Sequence, residues 1–266
     1  EQGLDDTLRG QLGHDPLTIW WHHLLYGQPP PGLDVRLTLD MQLQTAADAL
    51  LSDQIGALIM LNAQSGEILV MASYPTYNPN ELEDIWDQLI QNQDAPLLTR
   101  AIQGRYTSRE LERLLALESN SASWRDPVQL RLPGGENQLE EGITSPMNMA
   151  LLAASLTNEG LMPAAQIAQA YRDPQDQWIL LPALGEAAPL IPPAEARSIT
   201  NSLKDANTPT WHLTFTPEGE DLTWYLGGTS SAWEGTPYAL VIIIEEGDLE
   251  LADQTGQAML DAAMIP

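Results

Sequence analysis

The pattern of apolar and polar positions predicts that a helix and a buried hairpin form the first part of the folded domain. Residues 43–51 place leucines and alanines at helical spacing, and Asp40 stands where an N-cap is expected. Two apolar runs, 57–61 and 68–72, then flank a short polar turn that ends in Gly66. Apolar runs around such a turn are typical of a β-hairpin, and their consecutive apolar residues predict that both faces are covered.

The remaining patterns predict further helices and a late pair of strands. Helices are expected at residues 81–91, 95–103, 108–118, 146–160, 193–207 and 251–264, and strands at 222–228 and 237–246. Because the strands lie near both ends of the chain, we predict an α+β fold with one antiparallel sheet of about five strands. The hairpin 57–73 should lie beside the two late strands, with helices 41–53 and 251–264 on one face of the sheet.

The first part of the chain differs from the rest. Residues 1–35 are interpreted as a lead-in segment and linker, and residues 36–266 as one domain. The lead-in contains the adjacent residues His22 and His23, whose side chains would project about 100° apart on a helix, so no metal chelate is expected there. Because the chain begins at Glu1 and not at Met, we expect it to be part of a longer protein, with any signal or membrane anchor upstream.

Charge and composition exclude several classes of function. The chain has 37 acidic and 11 basic residues, a formal net charge of −26, which argues against nucleic acid and anionic membranes as partners. A solvated acidic surface explains this charge, whereas a calcium site at residues 173–176 would lack the Gly and Glu of a calcium loop. There is no cysteine and no His/Cys cluster, so no cofactor or metal is expected. The longest apolar run, 238–244, is too short to span a bilayer.

Several motifs in a fixed order resemble one enzyme family. They are Leu37-Thr38-Leu39-Asp40, Leu43-Gln44, Ser65-Gly66-Glu67, residues 74–80, 99–106, 142–150 and 158–163, and the two late strands at 224–227 and 237–242. In sequence and spacing they are similar to the transpeptidase domain of penicillin-binding proteins of the monofunctional, class B type. The resemblance implies a β-lactamase/transpeptidase-like fold with helices on both faces of the sheet. Only residues 114–131 are left for the family's helical lobe, which is therefore expected to be reduced.

The resemblance also implies where the nucleophile of such an enzyme would lie. In the family, a serine begins a Ser-x-x-Lys motif, because a hydroxyl attacks only when a base one helical turn away removes its proton. Counting on from Tyr106 without a gap places Glu110 at the serine position and Arg113 at the lysine position. Arginine stays protonated and cannot be this base. A shifted register that uses Ser108 puts Leu111 in place of the lysine.

The other two family motifs are also altered. The segment Ser119-Asn120-Ser121 has the residues of the Ser-x-Asn motif in the wrong order. The best counterpart of the Lys-Thr-Gly strand is residues 212–216, with Leu213 for the lysine, Thr214 for the threonine, Phe215 for the glycine, and then Thr216. A phenylalanine at that glycine position would fill the substrate groove. Lys204 is the sole lysine of the chain.

Three hypotheses follow. The first is a degenerate transpeptidase-like domain, a pseudoenzyme without catalytic residues, that serves as a structural or regulatory partner of other cell-wall synthesis proteins outside the cytoplasm. The second is an active D,D-transpeptidase, a penicillin-binding acyl-enzyme whose nucleophile lies elsewhere in the chain. The third is an acidic extracytoplasmic binding module unrelated to the wall. A histidine triad or a carboxylate-pair hydrolase has weaker support, because no spacing in the sequence favours either.

Overall fold

The strands of the main sheet come from two parts of the chain, one before and one after a largely helical middle region. The computed structural model describes residues 21, 24–25, 33–108, 111, 142–173 and 175–265. The strands are β1 (Val35–Leu37), β2 (Gly56–Asn62), β3 (Ile68–Tyr74), β4 (Tyr106–Thr107), β5 (Ile143–Thr144), β6 (Leu161–Met162), β7 (Ala168–Arg172), β8 (Trp178–Leu180), β9 (Ala188–Pro189), β10 (Thr210–Phe215), β11 (Leu222–Thr229) and β12 (Tyr238–Glu245). The helices are α1 (Met41–Leu50), α2 (Leu82–Leu89), α3 (Arg100–Gln103), α4 (Pro146–Thr157), α5 (Pro193–Ser202) and α6 (Leu249–Ala263), and a short 3-10 helix (Pro79–Glu81) precedes α2.

The main sheet has five antiparallel strands in the order β10-β11-β12-β2-β3. Strand β12 lies at its centre and pairs with β11 on one side and with β2 on the other. The predicted sheet is therefore confirmed, including the position of the hairpin beside the two late strands.

Helices cover both faces of this sheet, as predicted. One face packs against α4, and nearly every residue of this helix is buried. The other face packs against α1 and α6, through side chains such as Ala47 and Met259. Gly256 lets α6 approach closely, because a Cβ at this position would lie 2.3 Å from the ring of Tyr225.

Local capping explains why the first helix and the hairpin form where the sequence predicts them. The Asp40 carboxylate accepts hydrogen bonds from the backbone N–H groups of Gln42 and Leu43, which satisfies donors at the start of α1. The turn of the hairpin closes when the N–H of Gly66 donates to the carbonyl of Asn62, and Gly66 has a φ of 77°.

Some boundaries differ from the prediction. Of the helix expected at 95–103, only α3 forms. Ala95 has a φ of 44°, which is outside the range of a right-handed helix. The helix expected at 193–207 ends at Ser202, because the chain then turns so that Lys204 bridges Trp211 beside β10. Of the helix expected at 108–118, Ser108 and Leu111 belong to the described residues; Ser108 is not helical, and Leu111 is helical.

A second, smaller sheet was not predicted. It has the order β1-β7-β8, and the pairs β4–β5 and β6–β9 form two further short ladders. No described helix is both long and apolar enough to cross a lipid bilayer.

Candidate active site

Strand β10 contains most of residues 212–216, which the resemblance gives to the position of the family's Lys-Thr-Gly strand, and its two faces differ. It lies at the edge of the main sheet and pairs only with β11. Successive side chains of a strand point to opposite faces. Trp211, Leu213 and Phe215 therefore share one face. Trp211 and Phe215 belong to the hydrophobic cluster beneath α4, and the half-buried Leu213 packs against it. Phe215 is only 6% exposed, so a core side chain occupies the position that the resemblance gives to glycine.

The opposite face of β10 carries polar residues that contact α6. The Nε2 atom of His212 lies 3.2 Å from a carboxylate oxygen of Asp253, and Thr214 donates to the same oxygen. Gln257 lies 3.1 Å from the Nδ1 atom of His212. The ring of His212 also stacks on Tyr225 of β11. These contacts attach the edge strand to the C-terminal helix, and they use the threonine that the resemblance places in the motif.

Thr216 follows β10 and continues the polar contacts. Its hydroxyl lies 2.9 Å from the hydroxyl of Thr223, which donates to the carbonyl of Gly247. The side chain of Thr216 therefore forms a structural hydrogen bond at the connection between β10 and β11.

The segment that would lead to a nucleophile runs through β4. Ser108 is 1% exposed, its backbone N–H donates to the carbonyl of Gly142, and its hydroxyl oxygen lies 3.4 Å from that carbonyl. Leu111, one helical turn further on, is fully buried, as predicted. In the register that uses Ser108, the residue at the position of the base is therefore a leucine in the core. Glu110 and Arg113 lie outside the described residues.

A buried polar cluster holds this segment against the sheet. A single carboxylate oxygen of Glu245 accepts hydrogen bonds from the guanidinium of Arg100 at 2.9 Å and from the hydroxyl of Tyr106 at 2.6 Å. Arg100 also donates to the backbone carbonyls of Ala95 and Asp94. Burial raises the pKa of Tyr106 above its usual value, and the hydrogen bond to Glu245 raises it further.

Trp224 joins the same segment to β11. Its indole N–H donates to the backbone carbonyl of Thr107 at 2.9 Å, and its ring meets Tyr106 edge-on with 5.9 Å between ring centroids. Trp224 is fully buried. The arrangement fixes β4 over the face of the sheet that also carries Phe215.

The comparisons with known proteins place this fold among transpeptidases. The chain is 30% identical over 159 residues to the peptidoglycan D,D-transpeptidase MrdA of Acinetobacter baumannii, and 33% identical over 117 residues to the peptidoglycan D,D-transpeptidase PbpA of Mycolicibacterium smegmatis. These matches cover 53% and 39% of this chain. Among solved structures, the D,D-transpeptidase domain of a peptidoglycan glycosyltransferase from Eggerthella lenta superimposes with a TM-score of 0.75, at 16% identity over 91% of this chain and 86% of that one.

A second structural relative agrees. The structure of PBPA from Mycobacterium tuberculosis superimposes with a TM-score of 0.74, at 16% identity over 98% of this chain and 88% of that one. The chain therefore has the fold of a penicillin-binding-protein transpeptidase domain, and its sequence is similar to part of the class B proteins. No family model matches it. The matched regions span only about a quarter of the length of the curated relatives, 24% for the Acinetobacter protein and 22% for the Mycolicibacterium protein.

The structure brings some of the predicted site residues of this penicillin-binding-protein domain together. Phe215 lies in the same hydrophobic cluster as Tyr106 and Leu111, and Leu213 packs against that cluster. Lys204 lies at the other end of β10, where its backbone bridges Trp211. No cluster of three or more metal-ligating side chains occurs in the described part of the chain. The candidate calcium turn uses Asp173 differently, because its carboxylate accepts from the backbone N–H groups of residues 175 and 177.

Sequence reasoning missed the polar cluster around Glu245. Arg100 and Glu245 lie 145 positions apart in the chain, so no local pattern could connect them. The matched segment 99–106 was identified by its resemblance only. In the structure, this segment holds β4, which leads into the candidate site, against the main sheet.

Proposed function

We propose that this domain does not form an acyl-enzyme and that it acts as a structural or regulatory partner in peptidoglycan assembly. The observation that carries the proposal is the apolar face of β10. At the positions that the resemblance gives to the family's lysine and glycine, the half-buried Leu213 packs against the hydrophobic core beneath α4, and Phe215 belongs to that core. A substrate that must lie along this strand would have to displace a phenylalanine that is 6% exposed.

The chemistry of acyl transfer supports the same proposal. A serine hydroxyl needs a neighbouring base, and in this family that base is a lysine. Ser108 has Leu111 one turn away, and Glu110 and Arg113 replace the serine and lysine of the ungapped register. The guanidinium of Arg113 does not lose its proton at neutral pH. Each register therefore lacks the base.

The relatives suggest the setting in which such a domain would act. Two of them are named peptidoglycan D,D-transpeptidases, and one structural neighbour comes from a peptidoglycan synthase complex, with a TM-score of 0.64 over 88% of this chain. A domain that keeps the fold without the chemistry can still occupy a transpeptidase's place in such a complex. We therefore place its action outside the cytoplasm, among other cell-wall synthesis proteins, with any membrane attachment supplied by a segment outside this chain.

Intact-mass spectrometry after incubation with benzylpenicillin tests the proposal. The natural domain should keep its mass, while an active penicillin-binding protein treated in parallel gains one drug molecule. A fluorescent penicillin should likewise leave no stable label on the domain. An adduct of one drug molecule on the natural protein would overturn the proposal and support the alternative, an active acyl-enzyme.

A double variant tests whether the domain lacks only the nucleophile and the base or whether its substrate groove is closed as well. Glu110→Ser with Arg113→Lys restores the Ser-x-x-Lys pattern in the ungapped register. We expect this variant to remain unlabelled, because Leu213 and Phe215 still fill the adjacent strand face. Labelling of the double variant alone would show that the groove is open and that only the nucleophile and base are missing.

A further inference from the structure

Helix α2 presents an amphipathic surface that the fold leaves largely uncovered. Its apolar residues recur at positions i, i+3, i+4, i+7 and i+8, which is the pattern of a helix with one buried face. They are Leu82, Ile85, Trp86, Leu89 and Ile90, the last of which caps the helix. Only Leu89 is buried, whereas Trp86 is 48% and Ile90 is 53% exposed. We call these five residues the α2 stripe.

The exposed part of the α2 stripe is a continuous surface. Trp86 and Ile90 lie one helical turn apart, so their side chains are neighbours on the helix. Leu82 and Ile85 are half-buried and extend the same face toward the start of the helix. Single exposed apolar residues need no explanation, but an adjacent tryptophan and isoleucine on a half-covered apolar face indicate a contact surface.

The charges around the α2 stripe are all of one sign. Between residues 75 and 99 the chain has no lysine, arginine or histidine, and its five acidic residues there are Glu81, Glu83, Asp84, Asp87 and Asp94. In the described part of the chain, no basic side chain forms an ion pair with any of these carboxylates. The helix and its flanks, residues 75–99, therefore contribute only negative charges to the rim of the apolar surface.

We infer that the α2 stripe docks a basic amphipathic segment of a partner protein, with apolar residues against Trp86 and Ile90 and lysines or arginines against the acidic rim. Helix-in-groove contacts of this kind pair apolar anchors with complementary rim charges. This inference names the kind of partner that the proposed structural role requires, and it rests on that role.

Other occupants are less compatible with the charges. A second copy of the chain would bring two acidic rims together, and each copy carries a net charge of −26. A membrane surface would accept the apolar side chains, but anionic lipid headgroups would repel the acidic face. A basic segment satisfies both the apolar and the charged parts of the surface.

Isothermal titration calorimetry with a synthetic probe tests the inference. The probe is an 18-residue peptide of leucine and lysine at helical spacing, and its control replaces every lysine with glutamate. We expect the lysine peptide to bind at low salt and more weakly as salt rises, and the glutamate peptide not to bind. The double variant Trp86→Ala with Ile90→Ala should raise the Kd at least tenfold.

A matched variant controls for non-specific attraction to an acidic protein. Trp178→Ala with Ile179→Ala removes the same two residue types from β8, where they are 41% and 37% exposed. This variant should keep the Kd within twofold of the natural protein. Circular dichroism checks that both variants are folded, and the charge reversal Glu83→Lys with Asp87→Lys should weaken binding while leaving the apolar residues in place.

Several results would overturn the inference. They are no binding of the lysine peptide, equal loss of affinity in the two alanine variants, and no loss in the α2 variant. Self-association of the natural protein in sedimentation experiments, abolished by Trp86→Ala with Ile90→Ala, would identify a second copy as the occupant instead. Binding to phosphatidylcholine vesicles that depends on Trp86 would identify a lipid surface. The benzylpenicillin experiment is independent, because a drug adduct would refute the proposed function without changing the peptide affinity.

Discussion

The segment that leads into the candidate site is held by polar contacts, whereas the face of β10 that lies beneath α4 is held by apolar packing. In the first region, the charged groups of Arg100 and Glu245 and the hydroxyl of Tyr106 satisfy one another at 2.6–2.9 Å. In the second, Leu213 and Phe215 contribute only hydrophobic surface. The two regions meet through Trp224, which bonds to the backbone of the first and shares the cluster of the second.

The difference between the two regions suggests which contacts the fold needs for its stability. A buried arginine and glutamate that lost each other would be strongly destabilising, so a polar framework of this kind is retained as a unit. A lysine that serves only catalysis has no structural partner that would be left unpaired by its loss. An apolar side chain in its place increases the apolar surface that is buried on folding. Under the proposed function, the domain keeps the contacts that position the segment and lacks the side chains that would react.

The largest expected effect comes from the apolar region. Phe215→Ala should lower the free energy of unfolding by about 3–5 kcal/mol, because a nearly buried phenylalanine leaves a cavity in the core. Urea denaturation measures the loss. Thr214→Ala, on the opposite face of the same strand, is the matched control and should cost only about 1 kcal/mol for one hydrogen bond. Equal losses for the two variants would show that Phe215 is not a core residue.

The next effect tests the polar region. Arg100→Met keeps most of the side-chain volume but leaves Glu245 and two backbone carbonyls without their donor, so we expect a loss of about 3 kcal/mol. The carboxylate of Glu245 is 31% exposed, and water can partly replace the lost contact. Arg197→Ala is the control, because its ion pair with Glu159 is exposed on both sides and should contribute at most about 1 kcal/mol. A loss below that of the control would mean that the buried pair is dispensable.

Local patterns in the sequence were sufficient for four of the five strands of the main sheet, whereas β10 was reached only through the family resemblance. Asp40 caps α1 where its position predicts, and the two apolar runs of the hairpin pair with the late strand β12. Each of these features depends on residues close together in the chain or on a long apolar run. The small sheet was missed because β7 and β8 lack such runs: β7 mixes glutamine, tyrosine and arginine with alanine, and β8 has only three residues.

The site was harder to predict than the sheet. The resemblance placed Leu213 and Phe215 on one strand two positions apart, and the strand geometry then requires them to share a face, as they do. The hydrogen bond from Trp224 to Thr107 joins residues 117 positions apart, and no spacing in the sequence could reveal it. The reduced helical lobe and the boundary at residue 36 stay predictions.

A smaller effect is expected at the hydroxyl of Tyr106. Tyr106→Phe removes a 2.6 Å hydrogen bond to the carboxylate of Glu245, which should cost about 1.5–3 kcal/mol. The pKa of Tyr106 is raised above its usual value, so its contribution is fully present below about pH 10 and is lost as the pH rises further. Urea denaturation at neutral and at alkaline pH should therefore show that the variant's deficit shrinks above pH 10. A deficit that grew with pH would contradict this assignment.

The smallest effect is expected at a second buried tyrosine, and its sign should be opposite. The hydroxyl of Tyr225 is buried without a hydrogen-bond partner among the described residues, while its ring packs against Gly256 and stacks on His212. Tyr225→Phe keeps the ring and removes an unsatisfied polar group, so the free energy of unfolding at pH 7 should stay the same or rise by about 1 kcal/mol.

The pH dependence sharpens this last prediction. Burial raises the pKa of Tyr225, and the nearby carboxylate of Asp253 raises it further. Because the unfolded tyrosine ionises near pH 10 and the folded one does not, the natural protein loses stability as the pH rises above that value. The advantage of Tyr225→Phe over the natural protein should therefore increase at about pH 10.5, and the sign of the effect at pH 7 distinguishes it from the loss of a satisfied hydrogen bond at Tyr106. Parallel urea titrations of the two proteins at both pH values measure it, and a variant less stable than the natural protein at pH 7 by more than about 1 kcal/mol would show that the hydroxyl has a partner after all.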